Sequence, residues 1–159
     1  MNVVAFWKVG NEYGVFSNWY LRYMEIHAKK YNSVEQYMMY QKALIFGDDE
    51  IAHEIMQTHS MSKIKALGRR VRNYDDKKWN EVRYDVVLTA VRAKFTQHED
   101  LKRVLLETGD AEIVEASPYD RIWGIGTNRP HEIMDKQKWK GQNLLGKALM
   151  QVREELNNE

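Results

Sequence analysis

Lysine and carboxylate side chains share one face of a predicted helix. In SVEQYMMYQKA, residues 33–43, Glu35 and Lys42 lie two turns apart, with Met38 or Met39 between them. Side chains at these spacings align on one side of a helix, so a carboxylate and an ammonium could converge on a pocket there. The alternative is a solvated amphipathic face, because charged residues usually lie at the surface.

A second lysine, Lys94, shares a helical face with Ala90 and Val91, two positions that we expect to be buried. Partial burial lowers the pKa of a lysine and leaves a neutral amine that can act as a nucleophile. The alternative is that Lys94 lays its aliphatic stem along the core and keeps its ammonium group in water.

The segment EASPYDRIWGIG, residues 115–126, combines acids, a proline, an indole and glycines in one short stretch. Its carboxylates are Glu115 and Asp120, and its indole belongs to Trp123. A surface loop explains the proline and the glycines. It explains less well why a bulky tryptophan stands between an acid and a glycine.

Arginines cluster in LGRRVR, where Arg69, Arg70 and Arg72 follow Gly68 near a predicted helix end. The forked guanidinium matches phosphate oxygens, so this segment is the best local candidate for binding an anion. A solvated basic turn is the alternative, because exposed charges often do no more than contact water.

We expect neither a metal nor a cofactor. The chain has no cysteine, which excludes disulfides, thiol catalysis and zinc sites built on cysteine. The five histidines lack the spacing of metal ligands. These histidines are His27, His53, His59, His98 and His131. The WGIG sequence does not match the G-x-G-x-x-G fingerprint, so a nicotinamide-binding fold is not predicted.

The elements that must position these groups are a few short strands and several helices. Strands are predicted at 3–7, at 20–28 before a turn in KKYNS, and in EIVEAS. The first predicted helix runs from a cap at Ser33, with Gln36 completing a capping box, to about Phe46. The second covers 49–58 and starts at Asp48 or Asp49, and the third covers 62–67 and is closed by Gly68. Further helices are predicted over 76–96, around 101–105, and from just after Gly141 to Leu156. The pattern predicts an α+β fold, helix-rich, with a small and mostly antiparallel sheet.

The composition indicates one globular domain over residues 1–159. Hydrophobic residues make up 43% of the chain, and no linker rich in glycine and serine divides it. Lys and Arg total 24 against 23 Asp and Glu, so any binding of an anion must be local. A signal peptide and a long apolar run are not seen, and we predict a cytoplasmic protein without a membrane partner.

Six segments, in this order, resemble the NADAR (YbiA-like) N-glycosidase family. They are GVFSNWY (14–20), SVEQYMMYQKA (33–43), LGRRVR (67–72), Trp79 with Val82, the stretch from AVRAKF to IWGIG (90–126), and GQNLLGKALMQVREEL (141–156). The resemblance implies a YbiA-like α+β domain that hydrolyses N-glycosidic bonds to a phosphorylated or nucleotide-bearing ribose. A lysine acting through a Schiff base with the opened sugar has been proposed for the family.

Two substrate classes follow from the resemblance. One is the ribosylamino-pyrimidine phosphates of riboflavin biosynthesis. The other is ADP-ribose joined to guanine, with ADP-ribosylated nucleic acid as a partner. A module that binds ADP-ribose or NAD without catalysis is a third hypothesis, from a different functional class.

The resemblance also assigns roles to residues inside the matching segments. Lys94 and Lys42 are the candidate nucleophiles, with Lys94 slightly favoured, and the candidate acids are Glu35, Glu115 and Asp120. Substrate contacts are expected from Ser17, Asn18, Arg69, Trp123, Gly124, Asn143 and Gly146, the last two at a helix start whose free N–H groups favour an anion. The segment 127–140 departs from the family pattern and is expected to rim the pocket.

Overall fold

Seven helices and four short strands make up the fold in the computed structural model, which describes residues 1–159. The strands are β1 (Val3–Phe6), β2 (Met24–Ile26), β3 (Lys29–Tyr31) and β4 (Glu112–Glu115). The helices are α1 (Val34–Ile45), α2 (Asp49–Ile55), α3 (Met61–Arg69), α4 (Asp76–Gln97), α5 (Glu99–Glu107), α6 (Pro130–Ile133) and α7 (Leu144–Asn157). The predicted helix-rich α+β class is confirmed.

The chain divides into two compact units. Leu21–Gln97 forms the first, here the helical unit, which holds β2, β3 and α1 to α4. Met1–Tyr20 and His98–Glu159 form the second, here the parallel-strand unit, which holds β1, β4 and α5 to α7. That the whole chain acts as one domain stays a prediction.

In the helical unit, β2 and β3 pair as an antiparallel hairpin. The turn that joins them is His27–Ala28, whose φ angles are +51° and +64°. Positive φ at both central residues is the geometry that matches the twist of a hairpin. The prediction of a turn within KKYNS is therefore wrong, because Lys29–Tyr31 continues as a strand.

Helix α1 begins at the predicted cap, Ser33, but the Gln36 side chain bonds the residue before the cap instead of completing a capping box. The Ser33 hydroxyl accepts the N–H of Gln36 at 3.1 Å, and the Gln36 side chain accepts the N–H of Asn32 at 2.7 Å. The helix then packs against α2, α3 and α4, which is why residues 34–39 are all buried. This packing makes α1 the centre of the helical unit.

Gly68 does not close the third helix, contrary to the prediction. Helix α3 continues through Gly68 to Arg69. A Cβ atom at position 68 would lie 2.0 Å from the sulfur of Met39, so the glycine lets α3 approach α1 closely. The reason for this glycine is packing between helices rather than a turn.

In the parallel-strand unit, β1 and β4 pair in parallel, from Val3 beside Glu112 to Phe6 beside Glu115. The two strand pairs of the chain are thus one antiparallel and one parallel. Helix α7 packs against β4 and α5 through its predicted apolar stripe, which is Leu145, Leu149, Val152 and Leu156. It begins at Leu144, slightly later than predicted.

None of the helices combines the length and the apolar character that crossing a membrane requires.

Candidate active site

Lys94 is a fully buried lysine in the helical unit, with 1% of its surface exposed. It lies in the last turn of α4, between buried neighbours that include Val91 and Phe95, and its Nζ is 5.3 Å from the centre of the Phe95 ring. Burial lowers the pKa of Lys94 to about 7. The alternative in which its ammonium group reaches water is therefore wrong, and a large fraction of this amine is neutral near pH 7.

Lys42 has a different environment in the last turn of α1. Its Nζ is 4.6 Å from the centre of the Tyr74 ring and 6.0 Å from that of Trp79. Burial lowers its pKa, the nearby Glu35 raises it, and the nearby Arg69 lowers it further. The structure thus brings Glu35, Lys42 and Arg69 within electrostatic reach of one another.

Glu35 is only 5% exposed, so the alternative of a solvated face on α1 is wrong. The predicted arginine cluster is only partly present. Arg69 and Arg70 are exposed, whereas Arg72 donates to the buried carboxylate of Asp48 through its Nε and Nη2, at 3.1 and 2.7 Å. Arg72 therefore ties the end of α3 to the start of α2 and is not part of a free anion site.

Sequence reasoning missed Tyr74 as a neighbour of Lys42. Its ring also meets Phe46 edge-on, with 5.3 Å between the ring centres. The only local signal was an aromatic residue beside the acids of NYDD. Its proximity to Lys42 depends on how the segment between α3 and α4 folds back.

In the parallel-strand unit, Glu115 is the last residue of β4 and lies against Gly124. The carbonyl of Glu115 accepts the N–H of Ile125 at 2.9 Å. A Cβ atom at position 124 would lie 2.8 Å from both the carbonyl oxygen and Oε2 of Glu115. Gly124 is an expected substrate contact, and the close approach that it permits in the structure is to Glu115.

Asp120 holds the loop that carries Trp123. Its Oδ1 accepts the N–H of Ile122 at 2.9 Å and that of Trp123 at 2.8 Å. One turn earlier, the Ser117 hydroxyl accepts the N–H groups of Tyr119 and Asp120, both at 3.2 Å. Side chains that bind nearby main-chain groups thus explain much of the unusual composition of this segment.

Asn143 and Gly146 have internal roles, which corrects their assignment to an anion site. The Asn143 amide accepts the N–H of Glu115 at 3.1 Å and donates to the carbonyl of Ile113 at 3.0 Å. A Cβ atom at position 146 would lie 2.1 Å from that same carbonyl. The N–H groups of Asn143, Leu144 and Leu145 donate to the carbonyls of residues 122–124, so the start of α7 does not offer them to a ligand.

Ser17 and Asn18 are both 7% exposed and follow the 3₁₀ turn Gly14–Phe16. The Ser17 hydroxyl accepts the N–H of Trp19 at 3.1 Å. The Oδ1 atom of Asn18 is buried and accepts no hydrogen bond from the chain. Because a buried acceptor is normally satisfied, Asn18 is the strongest candidate of this pair for contact with a bound molecule.

The segment 127–140 is ordered by its own contacts. Trp139 donates its indole N–H to the carbonyl of Ile133 at 3.0 Å, and Lys136 pairs with Glu112 at 2.9 Å. The family model for the NADAR domain matches residues 5–157, which include this segment and every candidate residue above. The chain belongs to the NADAR family.

Relatives of this NADAR protein carry an enzymatic name. An N-glycosidase of Acanthamoeba polyphaga mimivirus is 46% identical over 147 residues, covering 89% of this chain and 86% of the relative. An N-glycosidase of Nostoc punctiforme is 36% identical over 155 residues, covering 98% and 93%.

The fold of this NADAR protein is similar to that of Escherichia coli YbiA, solved by NMR. The TM-score is 0.82 at 32% identity, covering 99% of this chain and 86% of the other. The resemblance that the six segments indicated is confirmed. The structure also contains no group of three or more His, Cys, Asp or Glu side chains that could hold a metal ion.

Proposed function

We propose that this NADAR protein is an N-glycosidase that hydrolyses the bond between an amine or base and a phosphorylated ribose. Two relatives that cover most of the chain are named N-glycosidases, which supports the bond type. The observation that carries the proposal is the buried amine of Lys94, whose pKa is lowered to about 7. A nucleophilic amine must be neutral to attack, and burial supplies that state near pH 7.

The chemistry begins at an anomeric carbon that bears an exocyclic amine. The bond from this carbon to the ring oxygen breaks, the oxygen takes a proton from an acid, and the exocyclic nitrogen forms a protonated imine. The neutral amine of Lys94 then adds to the carbon, and the electron pair of the imine returns to the exocyclic nitrogen. A proton moves from the lysine nitrogen to that nitrogen, and the base leaves as a neutral amine.

The sugar is then joined to Lys94 as a protonated Schiff base. Water adds to the carbon and gives a proton to a carboxylate. The proton of the new hydroxyl group then passes to the lysine nitrogen as the bond between carbon and lysine breaks, which restores the neutral amine and releases the sugar aldehyde. Each proton transfer needs a carboxyl group, for which Glu35, Glu115 and Asp120 are the candidates.

The remaining candidates would orient the substrate. Lys42 and Arg69 carry positive charge for a phosphate, and Glu35 is within electrostatic reach of Lys42. Asn18 would accept a hydrogen bond from the base or sugar, with Ser17 beside it. Trp123 would provide a flat wall.

The first substrate class that we propose is a ribosylamino-pyrimidine phosphate, and ADP-ribose joined to guanine is the alternative. Both classes can present an exocyclic amine on the anomeric carbon, so the same imine chemistry applies to each. The phosphate is a terminal group in the first class and part of ADP in the second. Release of base from one compound of each class therefore distinguishes them.

The test is release of free base from ribosylaminouracil phosphate and, separately, from ADP-ribosylated guanosine. Borohydride added during turnover reduces the Schiff base, and we expect mass spectrometry to find the sugar on Lys94. An adduct on Lys42 would reverse the roles of the two lysines. Turnover without an adduct would exclude the imine route, and binding of ADP-ribose without release of base would favour a module without catalysis.

A further inference from the structure

Two aromatic side chains meet where the parallel strands end. Trp7 follows directly after β1, and Tyr119 lies four residues after the end of β4. Because Phe6 pairs with Glu115 in a parallel ladder, both chain segments leave the strands at the same edge. The carboxyl ends of parallel strands are a common place for ligands to bind.

The half-buried ring of Trp7 and the exposed ring of Tyr119 form a small surface with one positive charge. The ring centres of Trp7 and Tyr119 are 6.0 Å apart with 57° between the planes. The Nζ of Lys8 lies 4.8 Å from the centre of the Trp7 ring. We call these three residues the aromatic surface.

Tyr119 is the most exposed large hydrophobic side chain in the structure, at 85%. Its position is nevertheless held, because its N–H donates to the hydroxyl of Ser117 and the preceding residue is Pro118. A tyrosine left in water adds little to the stability of the fold, since little of its apolar area is buried. We therefore look for a role of Tyr119 in binding rather than in folding.

We propose that the aromatic surface stacks against the nucleobase of a nucleotide, with Lys8 beside the phosphate. Every nucleobase offers a flat face to an aromatic ring, and a neighbouring lysine adds attraction to the phosphate. The net charge of +1 gives no general attraction to a nucleic-acid strand, so stacking must supply most of the affinity. This inference rests on the proposed function, because Tyr119 adjoins Asp120 in one loop, where it would hold a nucleotide of a larger substrate.

The experiment measures the affinity of the purified protein for a fluorescein-labelled, single-stranded hexanucleotide at low salt. We expect Tyr119→Ala to weaken binding about tenfold, and Tyr119→Phe, which keeps the ring, to bind as the natural protein does. Tyr23→Ala removes another exposed tyrosine, in the helical unit, and is expected to change nothing. An abasic strand of the same length is expected to bind as weakly as Tyr119→Ala binds the full strand.

The source of the base is separated by competition. If ADP-ribose displaces the strand and loses affinity in Tyr119→Ala, its adenine occupies the surface. If it does neither, the surface binds a neighbouring nucleotide of the strand. Lys8→Gln is expected to weaken binding by less than Tyr119→Ala and to reduce its dependence on salt.

Equal affinity of Tyr119→Ala and the natural protein, or equal binding of abasic and full strands, would overturn the inference. So would self-association in sedimentation that Tyr119→Ala abolishes, because a second copy would then cover the surface. Release of base from a small ribosyl phosphate should be the same in Tyr119→Ala. If the natural protein and all variants release no base but the natural protein still binds the strand through Tyr119, the proposed function would be rejected and the inference about the aromatic surface would be retained.

Discussion

The two units of this protein prepare their candidate groups by different physical means. In the helical unit the groups include lysines on helices, and burial lowers their pKa values. In the parallel-strand unit they are acids at a strand end and in a loop, and hydrogen bonds to main-chain N–H groups hold the loop. The contrast separates two requirements of catalysis, which are the right protonation state and a fixed position.

Lys94 and Asp120 illustrate the contrast. Taking an ammonium group out of water is costly in free energy. The folded state therefore favours the neutral form of Lys94, and its pKa falls to about 7. Asp120 stays half-buried, with Oδ1 bound to the N–H groups of Ile122 and Trp123. Changing each residue should therefore give a different combination of effects on activity and on folding.

The largest expected effect is that of Lys94→Met on turnover. Methionine fills similar apolar space but has no amine, so we expect release of base to fall on the order of 10³-fold or more while the protein stays folded. Lys63→Met, at an exposed lysine on α3, is the matched control and should be fully active. Activity of Lys94→Met close to that of the natural protein would remove Lys94 from the chemistry.

The next effect separates charge from position at Asp120. Asparagine keeps an oxygen that can accept the N–H groups of Ile122 and Trp123, whereas alanine does not. If Asp120 transfers protons, Asp120→Asn should lower kcat about 10²-fold with an unchanged unfolding midpoint. Asp120→Ala should lower both. Full activity of the asparagine variant together with a damaged alanine variant would make Asp120 a positioning residue for the loop.

Gly146 and Gly68 each lie close to another segment of the chain, and the two positions should differ in how well they tolerate a methyl group. In Gly146→Ala the new Cβ would meet the main-chain carbonyl of Ile113, which cannot easily move, so we expect a loss of roughly 1–3 kcal/mol in the free energy of unfolding. In Gly68→Ala it would meet the flexible side chain of Met39, so the loss should be smaller. Denaturant unfolding of both variants tests this order, and a larger loss at position 68 would contradict it.

The last effect is a dependence of stability on pH, which is small within any one pH unit. Because the pKa of Lys94 is lowered to about 7, the unfolded chain binds a proton that the folded chain lacks between that pH and the ordinary lysine pKa. Stability should therefore rise with pH from about 7 to 10, by about 1 kcal/mol per pH unit from this group, and stay level below that range. Denaturant unfolding at several pH values should show this slope in the natural protein and not in Lys94→Met. Equal slopes in the two proteins would mean that Lys94 is charged in the folded state.

Sequence patterns predicted the elements whose signals are local. Ser33 with Gln36 marked the start of α1, and the apolar spacing of Leu145, Leu149 and Val152 marked α7, because caps and periodicity act over one or two turns. The hairpin was not predicted, since its turn at His27–Ala28 has none of the usual turn residues. Helical spacing placed Lys94 on a face that we expect to be buried, and its burial agrees with that expectation.

The residues that the sequence misassigned are those whose contacts come from distant parts of the chain. Gly68 was read as a helix end, but Met39 is the reason for it. Asn143 and Gly146 were assigned to a ligand, but both serve the approach of α7 to the carbonyl of Ile113. A glycine or an asparagine looks the same in a sequence whether its partner is a substrate or a distant strand.

By itself the sequence determined the family, the helix-rich α+β class and the residue types available for chemistry, because composition, capping and periodicity are properties of neighbouring residues. Only the tertiary structure decided that the amine of Lys94 is held away from water and that Arg72 is committed to Asp48. Burial and pairing depend on what other segments bring to a side chain, and no local pattern contains that information.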